Sequence, residues 1–169
     1  VTAVGTYTLL VTNTINGCTS TASTTVTSNS NVPTSLAVPQ GQITCATPTI
    51  LVDATGSSTG ANFTYLWGTV NGQILNGQGT MQISAGLPGT YTLLVTNSLN
   101  NCTASYSVDV NSDVAPPVAD AGAPVTLTCT QPSSTLDGSG SSTGANYTYL
   151  WSAVSGGNFV SATDIQNPQ

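Results

Sequence analysis

The chain has 169 residues, and its only charged side chains are six Asp; Lys, Arg, His and Glu are absent, for a net charge of −6. Without cations it has nothing to neutralise phosphates, which excludes nucleic-acid binding and attraction to an anionic membrane surface. With no His, Lys or Glu, a Ser or Thr nucleophile lacks an ordinary base, so an enzyme is not expected and no cofactor is implied.

Val, Thr, Tyr and Ile are plentiful and no window carries helical periodicity, so the expected class is all-β. Residues 5–26 read as a β-hairpin, with Tyr7 on a strand and Asn16-Gly17 in the turn before Cys18. A polar linker follows from Ser28 to Pro33. Ile43-Thr44-Cys45 and Thr49 to Ala54 read as two short strands, and Thr55 to Asn62 as a Gly/Ser loop. In the next strand Phe63, Tyr65 and Trp67 share one face. Residues 70–78 turn at Asn71-Gly72, and Thr80 to Ser84 forms another strand. From Gly89 to Val110 the chain repeats the first hairpin, with Tyr91, Leu93 and Val95 on one face and Cys102 after the turn.

Gly5 and Gly89 are 84 residues apart, and so are Cys18 and Cys102. Residues 116–169 repeat the first half of the same unit. Leu127-Thr128-Cys129 matches Ile43-Thr44-Cys45, and Asp137 to Trp151 matches Asp53 to Trp67 almost residue for residue. A period of this kind makes the repeat the unit of structure. The predicted organisation is 1–28 as the closing hairpin of one repeat, 33–111 as a complete repeat of about seven strands, and 116–169 as the opening part of a third. A unit of this size buries roughly 60% of its unfolded surface. Two strands alone cannot bury a core. The first hairpin and the last segment together amount to one full repeat. No run is long and apolar enough to cross a membrane, and the chain reads as an excerpt of a longer secreted one.

Leu136-Asp137-Gly138-Ser139-Gly140-Ser141-Ser142 followed by Tyr149-Leu150-Trp151 resembles the opening half of polycystic-kidney-disease-type (PKD-like) and related Ig-like domains. Pro88 to Asn97 resembles their closing half. Leu-Thr-Cys near the start of a repeat, paired with Asn-Gly-Cys in its last hairpin, looks like tandem Ig-like repeats of very large surface proteins in Bacteroidetes-type bacteria. The resemblance covers nearly the whole chain. It implies β-sandwich repeats of about 84 residues, an extracellular location, and a role in cell-surface stalks, adhesins or fibres. It also implies a structural tyrosine corner at Tyr91. Leu51 or Val52, with Leu93, occupies the places where an antibody domain has its disulfide.

Cys18, Cys45, Cys102 and Cys129 suggest disulfides in an oxidising compartment. Four cysteines allow three pairings. Cys45–Cys102 would close a repeat on itself and is favoured, because one repeat holds both partners. Cys18–Cys45 with Cys102–Cys129 would instead staple successive repeats. Either loop would contribute roughly 3–4 kcal/mol. Without a CxxC pair or His, a metal is not expected. Asp113 and Asp120, at the second linker (Asn111 to Pro117), are the places to look for calcium, but Asx-turn capping is the better reading of the aspartates. The aromatic residues Phe63, Tyr65, Trp67, Tyr91 and Tyr106 read as core rather than as a sugar-binding face, with Trp151 and Tyr7 as the core counterparts of Trp67 and Tyr91.

The expected role is a structural repeat of an extracellular bacterial fibre or stalk, partnered head to tail by neighbouring copies of the same repeat. The alternative is an adhesin repeat that binds glycans or a surface.

Overall fold

The computed structural model describes residues 1–169. The chain is all-β, as expected, and forms two compact units, Val1–Val114 and Ala115–Gln169.

The first unit opens with a hairpin of β1 (Gly5–Thr12) and β2 (Thr19–Val26), paired antiparallel from Gly5↔Val26 to Thr12↔Thr19. Asn13 accepts the Gly17 N–H, and Gly17 takes a φ of +77° to close the turn. The hairpin has no third strand and no covering layer. Its apolar residues are consequently open to solvent, with Leu9 64% exposed.

Residues 33–114 form a sandwich. One sheet has the order β3 (Val38–Pro39), β5 (Ile50–Asp53), β8 (Gln82–Leu87), β7 (Gln73–Asn76). The other has the order β10 (Thr103–Val110), β9 (Gly89–Asn97), β6 (Phe63–Val70). All these pairings are antiparallel. A short parallel pair joins β4 (Ile43–Thr44) to β11 (Ser112–Asp113), within what the sequence suggests is linker. The period-2 pattern decides what is buried. Tyr91, Leu93 and Val95 of β9 have no exposed surface, and they share a core with Trp67, Val110, Ile50, Val52, Ile83 and Ala85. Leu51 is half exposed and Val52 fully buried, so Val52 is the residue that faces Leu93 across the core. Phe63 and Tyr65 pack against this core from its edge, whereas Tyr106 is 40% exposed.

Two strands differ from the sequence reading by more than a residue at an end. The strand expected over Thr80 to Ser84 begins at Gln82 and runs on through Gly86 to Leu87. Thr80 instead holds the preceding turn, donating its hydroxyl to the carbonyls of Gly77 and Gln82. The strand begun at Phe63 extends past Trp67 to Val70, where Asn71 turns the chain at a φ of +63°.

The second unit contains no strand; its one β-bridge joins Thr128 and Gln131. The segment matching β6, Tyr147 to Val154, forms no strand; its Trp151 N–H donates to the Thr163 carbonyl at 2.9 Å. Leu150 and Val154 are each 83% exposed, and Trp151 is only partly buried.

Candidate functional site

All four cysteines are free thiols. Cys102 immediately precedes β10, in the turn after β9, whereas Cys45 follows the β4–β11 pair beyond the other end of β10. The Cys45 Sγ lies 3.9 Å from the Val114 carbonyl oxygen. The eight residues of β10 separate the two thiols by roughly 25 Å. A disulfide needs Cα atoms within about 7 Å. The favoured Cys45–Cys102 bond is therefore not made: proximity within one repeat of sequence does not bring the two ends of a sandwich together.

The same positions define where the chain enters and leaves the repeat. The Asn100 side-chain amide donates to Asn29 Oδ1 at 3.1 Å and to the Asn31 carbonyl at 3.0 Å, which ties the incoming linker to the Cys102 turn. The Ile43 N–H donates to the Asn111 carbonyl at 2.9 Å, which ties the outgoing chain to the Cys45 end.

Asp53, Asp120 and Asp137 cap turns. Asp53 accepts from the Thr55 N–H at 3.0 Å and from the Thr55 hydroxyl at 3.1 Å, with the Gln82 amide at 3.4 Å. The Thr55 N–H holds the Asp53 carboxyl below its ordinary value; burial opposes it, and the Gln82 and Thr55 side chains add to the lowering. Asp137 is lowered in the same way by the Ser139 hydroxyl and N–H. Asp120 accepts from the Gly122 N–H at 2.8 Å. Asp113 lies on β11. No three acidic or cysteine side chains come together to hold a metal ion.

Tyr91 forms the corner its position suggests. Its hydroxyl lies 2.6 Å from the Leu87 carbonyl, to which it donates, and accepts from the Gln73 N–H at 2.9 Å. The Tyr7 hydroxyl donates in the same i−4 fashion to the Ala3 carbonyl at 2.8 Å, but in the open. The Trp67 indole donates to the Thr80 carbonyl at 2.9 Å. Trp67 and Tyr91 are thus fully engaged in the core.

What remains open is a pair of surfaces. One is the face of the first hairpin lined by Tyr7, Leu9 and Ala22. The other is a groove of about 530 Å³ in the second unit, lined by Val125, Leu127, Leu136, Phe159 and Val160 among others. Leu127 and Leu136 match Ile43 and Val52, which are buried in the complete repeat. Composition alone suggests neither surface; the 84-residue period is the signal that links them. No protein-family model matches the chain, and no curated protein matches it.

Proposed function

We propose that the chain is a structural extracellular repeat, Ig-like and PKD-like in type, that builds a bacterial surface fibre or stalk end to end. The observation that carries this reading is the polarity of the complete repeat. The chain enters beside Asn100 at one end of β10 and leaves beside Ile43 at the other. An entry and an exit at opposite ends of the sandwich suit units joined end to end. The strand order also supports it. Sheets β3-β5-β8-β7 and β10-β9-β6 follow the order of a constant-type immunoglobulin sandwich. The cation-free surface fits the same role. Six negative charges on 169 residues give little mutual repulsion, so close neighbours are tolerated. A protease that cuts after Lys or Arg finds no site.

Electron microscopy of the native material tests the proposal. A straight, regular filament whose spacing matches the repeat is expected. Flexible beaded strings that merely carry something else away from a cell, or binding of the 33–114 repeat to a glycan array, would replace the fibre by a spacer or an adhesin.

A further inference from the structure

We propose that Asn100 fixes the direction in which the chain enters the sandwich, so that the linker between repeats works as a stiff joint and not as a hinge. This rests on the end-to-end reading above and names what keeps such units in line. Asn100 stands in the turn between β9 and β10. Its Oδ1 accepts the Cys102 N–H at 2.9 Å, which closes the turn. Its Nδ2 donates to Asn29 Oδ1 at 3.1 Å and to the Asn31 carbonyl at 3.0 Å. An amide nitrogen has two hydrogens to give, and both go to the linker. Asn16, the match of Asn100 in the first hairpin, uses its oxygen in the same way, accepting the Cys18 N–H at 3.1 Å. The turn therefore needs only the oxygen, and the nitrogen serves the linker.

The residues that follow are held as well. Pro33 is buried, and its ring fixes its own φ. Thr34 exchanges two bonds with Ser58: its N–H donates to the Ser58 hydroxyl at 2.9 Å, and its carbonyl accepts the Ser58 N–H at 3.1 Å. Asn29, Asn31 and Pro33 are thus each fastened to the sandwich, whereas Val32 between them is 66% exposed. A segment held at every second residue has no two consecutive free residues about which to swing.

The second linker is held from its other side. Asp113, which matches Asn29, pairs with Thr44 in the short parallel β4–β11 ladder, and the Asn111 carbonyl accepts the Ile43 N–H at 2.9 Å. One position of the repeat is therefore gripped by the sandwich that follows it in the first linker, and by the sandwich that precedes it in the second. Between two complete repeats the two grips meet at this position and leave no free run for a bend. The bonds from Asn100 are exposed, and bonds that exchange with water add little to stability. Their effect is on direction: two donors of one planar amide, spent on two residues of the linker, define its path.

The test is 15N relaxation of the 169-residue chain. Asn29 and Asn31 should give backbone order parameters near the rigid value of about 0.85. Asn100→Asp keeps an oxygen for the Cys102 N–H and removes both donors. In that variant the order parameters of Asn29 and Asn31 should fall below about 0.6, while those of Leu99 to Thr103 and the melting temperature of the 33–114 sandwich stay where they are. Asn29→Ala, which alters only the linker, should loosen residue 29 and leave Asn31 held by its carbonyl. A linker already mobile in the parent chain, or one whose order is unchanged in either variant, would overturn the joint. Loss of order in the turn itself in Asn100→Asp would overturn it too, since Asn100 would then act on the fold. Straight filaments of native material beside a mobile linker would remove the joint and leave the end-to-end reading intact. Glycan binding by the 33–114 repeat, with the linker rigid, would replace that reading and leave the grip of Asn100 standing.

Discussion

The Tyr91 hydroxyl reaches back four residues to the Leu87 carbonyl at 2.6 Å and takes the Gln73 N–H at 2.9 Å, joining the entry of β9 to the start of β7 on the opposite sheet. Tyr91 is fully buried, and removing its hydroxyl breaks both of these part-buried bonds. Tyr91→Phe should destabilise the sandwich by about 1–3 kcal/mol in a urea titration. Tyr7→Phe, which removes an exposed bond to Ala3, should change the same titration by less than about 0.5 kcal/mol.

Gly89 sits directly against the backbone of the Val70–Gly72 turn. A Cβ there would meet the Gly72 nitrogen and would lie 2.6 Å from the Val70 carbonyl oxygen and 2.8 Å from the Asn71 carbonyl carbon, none of which is a flexible side-chain end. Gly89→Ala should therefore cost about 2 kcal/mol or more, read as a lower melting temperature of the 33–114 sandwich. The hairpin glycine at the matching position, Gly5, meets nothing within 4 Å. Gly5→Ala should leave that melting temperature where it is.

Much of this was legible in the chain. Alternation over Gly89 to Val110 is a period-2 signal strong enough to place both strands and the buried face of Tyr91, Leu93 and Val95. The 84-residue period also transfers turn chemistry. Gly17 and Asn101 occupy the same turn position, and both take a positive φ, which Gly and Asn tolerate. The fate of the thiols was not legible. Sequence spacing says that Cys45 and Cys102 share a repeat, but only the strand directions place them at opposite ends. β3 and β11 were also missed. Each is two residues long, too short for alternation to register, and each exists only because a partner strand lies beside it. The expectation of core roles for Trp151 and Tyr7 meets the same limit. Their identities are those of core residues, yet each lies in a segment without the rest of its sandwich, so neither is fully buried.

Asp53 gives the sandwich a pH dependence. Its carboxyl is held below 3.8 by the Thr55 N–H first, then by the Gln82 and Thr55 side chains. A carboxyl with a lower pKa folded than unfolded stabilises the fold while it is ionised in both states. That contribution is lost as pH falls through the folded value. The melting temperature should be level from neutral pH down to about 5 and decline below about 4. Asp53→Asn keeps an oxygen for the Thr55 N–H but has no charge to lose. Its decline at low pH should be shallower, and a curve that falls as steeply as the parent's would remove Asp53 as the cause.

Folding should be concentrated in one part of the chain. The core residues, from Ala37 to Val110, all lie between the two linkers, and every sheet of more than two strands lies there as well. The first hairpin has only its own cross-strand bonds, and a two-stranded hairpin is marginal in water. Residues 115–169 leave Leu150, Val154 and Val160 exposed and form no strand ladder. A fragment of residues 29–114, which keeps the Asn100 contacts to Asn29 and Asn31, should therefore unfold in a single cooperative transition with the midpoint of the monomeric 169-residue chain. A fragment of residues 115–169 should show no cooperative transition and exchange its amide protons rapidly. Slow exchange at Tyr147 to Val154 in that fragment would mean that the segment holds its own structure, contrary to the exposure of Leu150 and Val154.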